Sequence, residues 1–395
     1  MSITNPLTHQ TYKILNPGFG DSSVVYEVTD GAHTFAAKIF KRSTDFMREL
    51  QVLKRVSQLD HCARYISWFV DGEKGVILFE KLERNLLNKG PLNFLRVISA
   101  AIQLIESTVK LHATGLKNAD LKPQKLNLDE ETNVLNAFGL KYVEKDQKFS
   151  LNLKQTSYYL SPEVLIGEGH DPTVDAYSIG CIIFEFFTGL KLAPRSVGPY
   201  DFENMKEILS FLFYQIGRTP PTNFNGNPIF KLLFKNGYLL IPRALSIPRW
   251  TTIMRKKGAD ALIDEGKVEK LIEIIRGLIE FADRRTPLPE ALETLQQFNA
   301  DLEIHIEIDP ELFKTAEKVT LTIRQIYGGR NDLHAAQVFH SVFTPETKLL
   351  SHYHIPLFST KKSSFSISIN GAPPYQKMLE NHTTLTISPP IKASS

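Results

Sequence analysis

Apolar residues recur along this chain with two different periods, and the change of period divides the sequence. Up to about residue 300, apolar positions three or four apart predict helices, and short β-type runs bounded by turns predict strands. The predicted helices cover residues 45–59, 93–112, 175–190, 268–281 and 289–298. The predicted strands lie earlier, at 24–28, 35–40 and 76–79. Residues 191–267 are less regular and rich in Phe, Pro and Asn.

After about residue 300 the apolar residues alternate with polar ones. The alternation runs through residues 302–308, 319–323, 365–369 and 385–387, with Gly, Pro and Asn between them. This pattern is typical of all-β domains, so it predicts a separate β-sandwich-like domain over 301–390. Residues 391–395 are then a tail, which we expect to be disordered. Six histidines in this region permit a metal site, although histidines on strands more often have surface or packing roles.

Composition narrows the class of protein. The apolar content of 42% and charged content of 23% are those of a soluble globular chain. A net charge of +3 is too small to indicate a nucleic-acid or anionic-membrane partner. Cys62 and Cys181 are the only cysteines, which fits a reducing compartment. The first residues lack a secretory signal pattern, and the most apolar run, 179–190, is too short to span a bilayer. We therefore expect a cytoplasmic protein without membrane insertion.

Three segments between residues 118 and 163 form an ordered series of motifs. They read Asn-Ala-Asp-Leu-Lys-Pro-Gln-Lys at 118–125, Asn-Ala-Phe-Gly at 136–139, and Thr-Ser-Tyr-Tyr-Leu-Ser-Pro-Glu at 156–163. In order and spacing they resemble the catalytic loop, metal-binding loop and activation-segment end of eukaryotic-type protein kinases. With flanking motifs, the resemblance covers residues 18–292. No family is recognised for the C-terminal region.

The resemblance implies a nucleotide site in the first part of the chain. Gly18 and Gly20 match the glycine-rich loop, whose backbone amides approach phosphate, and Val25 matches the residue that covers the adenine. Lys38 matches the lysine that holds the α- and β-phosphates, and Glu49 is the helix residue expected to pair with it. Taken singly, these features also fit an ordinary hairpin turn and two surface charges.

The lobes are expected to meet near Glu80 to Asn88, in a hinge that starts at Glu80, where backbone groups would meet the adenine edge. Phe79 before it is either a bulky residue at the back of the nucleotide pocket or a core residue that ends a strand. The implied cofactor is ATP.

The catalytic loop keeps part of the family pattern and loses part. Asp120 matches the catalytic base, and Lys122 matches the lysine of Ser/Thr-directed kinases that neutralises the transferring phosphate. Lys125 and Ala137 replace the two magnesium ligands, and a methyl group cannot ligate a hard cation. Ala119 replaces the arginine that reads activation-loop phosphorylation. We therefore expect no metal ligand here, a doubtful role for magnesium, and weak ATP binding.

Positions that support the fold are better kept than those that bind metal. Glu163 is expected to form a buried ion pair with Arg285, for which Arg284 is a rival. Asp175 matches the aspartate that braces the backbone of the catalytic loop. The predicted fold class is therefore α+β: a bilobal kinase-like fold with a small lobe over 1–80 and a large lobe over 81–300, followed by the all-β domain.

The same residues leave more than one function open. A pseudokinase that works through protein partners is favoured, because both magnesium positions are lost. An active, atypical Ser/Thr kinase using Lys38, Asp120 and Lys122 is the alternative, and a related transferase that moves the nucleotide is a third. An engineered substitution at Ala137 would not explain Ala119 or Lys125.

Overall fold

A computed structural model gives the architecture of the chain. The residues it describes are 2–19, 23–57, 59, 65–81, 87, 90–118, 120–128, 135–137, 142–144, 157–167, 171–193, 202–217, 228–235, 238–239, 248–261, 263–300, 304–308, 319–327, 334–343, 352–353, 363–369, 375–379 and 384–387. The chain falls into two compact units. One comprises Met1–Leu92, Ser99–Ser246 and Ile275–Leu292, and the other comprises Asn93–Ile98, Ile247–Ile274 and Glu293–Ser395.

The first eighty residues form an antiparallel sheet. Its strands are β1 (Ser2–Thr4), β2 (Thr11–Phe19), β3 (Ser23–Thr29), β4 (Thr34–Phe40), β5 (Tyr65–Asp71) and β6 (Lys74–Glu80). They lie in the order β1-β2-β3-β4-β6-β5, and each neighbouring pair is antiparallel. The Thr4 amide donates to an Asp71 carboxylate oxygen at 3.2 Å, so the two edge strands approach each other and the sheet is curled.

Alternation along the strands gives this sheet two apolar faces. One face carries a cluster that includes Val28, Phe69 and Leu78. Helix α1 (Ser43–Val56) packs on the other face, which carries Phe40 and Ile77. The helix meets the sheet through apolar residues at helical spacing, namely Phe46, Leu50, Leu53 and Val56.

Helices dominate the middle of the chain. They are α2 (Phe94–Ala113), α3 (Pro162–Leu165), α4 (Thr173–Thr188), α5 (Phe202–Ile216), α6 (Pro228–Leu233), α7 (Trp250–Asp260), α8 (Glu265–Leu278) and α9 (Leu288–Ala300). Helix α4 is almost wholly buried and ends at Gly189, whose φ of 74° is the left-handed conformation that glycine adopts without strain. None of the described helices is both long enough and apolar enough to serve as a membrane span.

Short ladders position the motif segments. Strand β7 (Leu116–Asn118) pairs with β10 (Tyr142–Glu144), and β8 (Leu126–Leu128) pairs with β9 (Leu135–Ala137). A further ladder joins β11 (Phe234–Lys235) to β12 (Tyr238–Leu239). The turn at Pro123–Lys125, a single 3-10 turn, connects the catalytic loop to β8.

Strands follow α9. They are β13 (Ile304–Ile308), β14 (Val319–Tyr327), β15 (His334–Phe343), β16 (His352–Tyr353), β17 (Ser363–Ile369), β18 (Tyr375–Leu379) and β19 (Thr384–Ile387). They form two sheets, in the orders β16-β13-β19 and β15-β14-β17-β18. All pairs are antiparallel except β13 with β19. Strands predicted from the alternation are confirmed as β13, β14, β17 and β19, whereas a separate sandwich-like domain stays a prediction.

Predictions for the helices are mostly confirmed. Those at 45–59, 93–112, 175–190, 268–281 and 289–298 correspond to α1, α2, α4, α8 and α9, within a few residues at each end. The description of 191–267 as less regular did not identify α5, α6 and α7, which lie there. In α5 the adjacent buried residues Ile208, Leu209, Phe211, Leu212 and Phe213 leave no clear helical period. Most of the predicted hinge, 82–86 and 88, lies outside the described residues.

Candidate active site

Lys38 and Glu49 meet beside the curled sheet, as predicted. Lys38 lies on β4 and Glu49 on α1, and the Lys38 Nζ is 2.5 Å and 2.7 Å from the two Glu49 carboxylate oxygens. Both side chains are largely buried, at 13% and 22% exposure. The pair therefore holds the Lys38 ammonium in a defined place on the face of the sheet that α1 covers.

The other predicted nucleotide-binding residues lie on strands of the same sheet, except for one glycine that is outside the described residues. Val25 on β3 is the register partner of Lys38, so the two side chains share one face of the sheet. Val25 is also 47% exposed, which leaves its apolar surface open. Gly18 lies in β2, whereas Gly20 is outside the described residues. Glu80 ends β6, next to Phe79, which packs partly buried against the α1 cluster.

Asp175, at the start of α4, holds the backbone of the catalytic loop. Its Oδ2 accepts a hydrogen bond from the Asn118 amide at 2.8 Å and lies 2.8 Å from the His112 Nε2. The Asn118 side-chain oxygen in turn accepts from the Asp120 amide at 3.0 Å. Burial raises the pKa of the Asp175 carboxyl, although His112 and the Asn118 amide favour its charged form. The predicted brace is confirmed, and it extends to Asp120 through Asn118.

Two lysines hold the Asp120 carboxylate. Lys122 Nζ lies 3.0 Å from Oδ1, and Lys125 Nζ lies 2.5 Å from Oδ2. The 3-10 turn at Pro123–Lys125 keeps these lysines close together, because the Lys125 amide donates to the Lys122 carbonyl at 2.9 Å. All three side chains are less than 20% exposed. Each carboxylate oxygen therefore faces an ammonium group.

Lys125 lies between opposing electrostatic influences. Burial lowers the pKa of its ammonium, the Asp120 carboxylate raises this pKa, and the charges of Lys122 and Lys38 lower it. The charge of Lys38 therefore acts on Lys125. Three lysines (Lys38, Lys122 and Lys125) stand against two carboxylates (Glu49 and Asp120), and the small positive excess of this group suits a phosphate chain.

Magnesium does not fit the residues at the two family metal positions. Lys125 precedes β8, and Ala137 pairs with Leu126 at the same end of the β8–β9 ladder. Ala137 is buried and ends in a methyl group, and Lys125 carries a positive charge. Asn136 alternates with Ala137 along β9, so it faces the opposite side. Within the described residues, no three His, Cys, Asp or Glu side chains cluster as a metal site.

A buried ion pair forms between Arg285 and Glu163, as predicted. Arg285 donates to both Glu163 carboxylate oxygens, at 2.6 Å and 3.2 Å, and also to the Thr173 carbonyl at 3.0 Å. The side chains of Arg285 and Glu163 are 0% and 4% exposed. The rival Arg284 instead lies 3.9 Å from Glu280. The end of the activation segment is thus tied to the helical part of this unit.

Two contacts near the site were not foreseen from the sequence. Tyr159 donates to Glu185 Oε2 at 2.6 Å, and burial raises the pKa of both groups. Arg55, in the last turn of α1, donates to Glu144 Oε1 and to the Thr114 carbonyl, each at 2.6 Å. Tyr159 lies in the 156–163 motif, but nothing local in the sequence names the partner of either residue, because each contact joins segments far apart in the chain.

Comparison with known proteins agrees with the geometry. The protein kinase domain pattern matches residues 12–281. The chain is 29% identical to Homeodomain-interacting protein kinase 4 of Mus musculus over 179 residues, which are 40% of this chain and 29% of that protein. It is 30% identical to the Dual specificity protein kinase YAK1 homolog of Arabidopsis thaliana over 173 residues, 41% of this chain and 17% of that protein.

A third relative is matched over a longer stretch. Identity to Serine/threonine-protein kinase AFC3 of Arabidopsis thaliana is 29% over 242 residues, 48% of this chain and 60% of that protein. The chain therefore spans less than two thirds of the length of each of these three relatives.

Proposed function

This chain belongs to the protein kinase family, with the domain over residues 12–281, and within that family we propose that it is a pseudokinase. It acts as a binding, scaffolding or regulatory module that holds ATP weakly and without a need for magnesium. The observation that carries the proposal is the state of Asp120, whose two carboxylate oxygens are held by Lys122 and Lys125. A catalytic base must be free to accept the proton of the acceptor hydroxyl.

Nucleotide binding in this proposal uses the residues that remain. Lys38, held by Glu49, contacts the phosphates, and the backbone at Gly18 and Gly20 covers them. Val25 covers the adenine, and the backbone at Glu80 meets its edge. ATP supplies charged phosphates and an aromatic base, and these groups of the chain bind and orient both.

Lys125 takes over part of the work that a metal ion does elsewhere in the family. Its ammonium lies beside Lys122 and within electrostatic reach of Lys38. These positive charges neutralise a phosphate chain directly, as point charges. Neutralisation without a bound divalent ion permits binding, but it lacks the rigid coordination that positions a phosphoryl group for transfer.

The second candidate is an active, atypical Ser/Thr kinase, and one observation favours it. Lys38 and Glu49 are paired, which is the arrangement required of active members of the family. Relatives named as a serine/threonine kinase and a dual-specificity kinase share this domain. In this reading Lys38, Asp120 and Lys122 carry the transfer, and Lys125 leaves Asp120 when substrate arrives.

Protein partners complete the proposal. We assign the binding of partners to the 191–267 region, to a separate β-sandwich-like domain over 301–390, or to both. In the former region Phe211 and Phe213 are buried, so they contribute to the core and not to a contact surface. The strands β13 to β19 add no recognised kinase motif, and this supports a binding role for them. We propose a cytoplasmic location on the composition described above.

Phosphotransfer measured on the full chain separates the two candidates. Radiolabelled ATP is supplied with magnesium or manganese, and autophosphorylation and transfer to a generic Ser/Thr substrate are compared for the wild type and Asp120→Asn. We expect background incorporation that is equal in both proteins. Incorporation that Asp120→Asn abolishes, in a variant with unchanged thermal stability, would establish the atypical kinase instead.

A further inference from the structure

Arg55 joins three segments that are far apart in the sequence. It lies in the last turn of α1, and its guanidinium donates to Glu144 on β10 and to the carbonyl of Thr114, each at 2.6 Å. That carbonyl is presented by the turn after α2, where Gly115 has a φ of 81°. The Arg55 side chain is 41% exposed and that of Glu144 is 59% exposed.

Arg55 and Glu49 lie on the same helix, α1. The two residues are six positions apart, or about 9 Å along the axis. Apolar packing holds α1 on the sheet through Phe46 and Leu50, but such packing has no direction and tolerates small shifts of a helix. Two hydrogen bonds at fixed positions do have direction. They set the orientation in which Glu49 reaches Lys38.

Glu144 supplies a permanent negative charge in the segment that follows the Ala-Phe-Gly motif. Strand β10, which carries it, is fixed by pairing with β7 beside the catalytic loop. Ala119 stands where the family has its reader of activation-loop phosphorylation. A carboxylate needs no kinase to install it, so an ion pair to Glu144 orders α1 at all times.

We propose that Arg55 is a positioning residue that keeps the Lys38–Glu49 pair assembled without phosphorylation of the activation segment. The inference concerns the regulation of the proposed nucleotide site, and it rests on the proposed function. The proposed contacts join residues of the chain itself, so they are tested without nucleotide. A failure of ATP to bind would then count against the proposed function and leave this test intact.

Hydrogen exchange measured by mass spectrometry on the full chain, without nucleotide, gives the first test. The proteins are the wild type, Arg55→Ala, Glu144→Ala, their double variant and Arg255→Ala. The last is a matched control, because Arg255 and Glu269 form a comparable exposed pair at 2.5 Å elsewhere in the chain. We expect α1 amides to exchange about three to ten times faster in Arg55→Ala, the range for losing an exposed pair and a backbone hydrogen bond.

The pair should also behave as a unit. Glu144→Ala should speed exchange in α1, the double variant should exceed Arg55→Ala by little, and Arg55→Lys should fall between the wild type and Arg55→Ala. Arg255→Ala should leave α1 unchanged. Exchange in α1 that stays at the wild-type rate in Arg55→Ala overturns the proposal. So does an increase spread evenly over the whole chain, since that reports a loss of global stability.

Labelling of lysine amines gives the second test. If Arg55 had a purely structural role, the reactivity of Lys38 would not change. Lys38 should react faster with an acetylating reagent in Arg55→Ala, because loss of orientation in α1 releases it from Glu49. Lys110, in an exposed pair with Glu106, serves as the internal reference. Equal labelling of Lys38 in Arg55→Ala and in the wild type contradicts the proposal.

Discussion

Lys125 Nζ lies 2.5 Å from Asp120 Oδ2, so the residue in a metal-ligand position binds the residue in the catalytic-base position. This contact links a departure from the family pattern, Lys125, to a residue that keeps the pattern, Asp120. The Asp120 carboxylate is consequently neutralised by its own neighbours. Under the proposed function, the Lys125 ammonium supplies positive charge to the site in place of magnesium.

Replacing Lys125 should weaken nucleotide binding in the absence of metal. We expect Lys125→Met to raise the Kd for ATP in EDTA by about ten- to a hundredfold, since a charge-assisted contact to phosphate contributes about 1.5–3 kcal/mol. Isothermal titration measures the change. Lys110→Met, on the exposed face of α2, is the matched control and should bind like the wild type. Equal affinities for Lys125→Met and the control would remove Lys125 from the phosphate site.

Restoring both family ligands should restore magnesium dependence. The double variant Lys125→Asn, Ala137→Asp supplies an amide and a carboxylate oxygen at the two positions, and hard cations prefer such ligands. We expect ATP to bind this variant more tightly with magnesium than in EDTA, as judged by thermal shift. Each single variant should respond less. A double variant that is as indifferent to magnesium as the wild type would show that other residues exclude the metal.

Breaking the Arg285–Glu163 pair should destabilise the fold strongly. Arg285→Ala leaves the Glu163 carboxylate buried and unpaired, a change that costs about 3–5 kcal/mol. Denaturant unfolding with a tryptophan probe measures the loss. Arg284→Ala removes a neighbour whose side chain is 35% exposed and lies 3.9 Å from Glu280, so it should cost far less. Comparable losses for the two variants would contradict the assignment of the structural role to Arg285.

The burial of Glu185 predicts a dependence of stability on pH, although the hydrogen bond from Tyr159 acts in the opposite direction. Burial raises the pKa of Glu185 above its ordinary value of 4.5, so its protonated form favours the folded state. That contribution is fully present below pH 4.5 and is lost as the pH rises through the raised pKa. Glu185→Gln should therefore unfold at a higher temperature than the wild type above this window. The two melting curves should converge below it, and a constant difference at every pH would refute the interpretation.

The sequence predicted much of the fold and the site because motif residues are short-range signals. Lys38, Asp120 and Glu163 are each marked by adjacent residues, and their partners follow from the family pattern. Helix α5 was missed because its buried residues are adjacent and hide the helical period. The partners of Arg55 and Tyr159 were missed for a different reason: each contact depends on tertiary folding, and no local signal names the partner of either residue.

The departures at Lys125 and Ala137 were visible in the sequence, but their consequence was not. Lys125 could have pointed to solvent, filled the metal position or approached a phosphate. The 3-10 turn decides between these, since it places Lys122 and Lys125 on the same carboxylate. A turn of three residues has no periodic signal, so this geometry required the structure.

Thermal-shift titration of the full wild-type chain with ATP, in magnesium and in EDTA, tests the central claim most directly. Binding without metal predicts the same saturable stabilisation in both conditions, about 2–4 °C at ATP concentrations several times the Kd. Stabilisation that appears only when magnesium is present would contradict the account, because it would require a metal site that Lys125 and Ala137 do not provide.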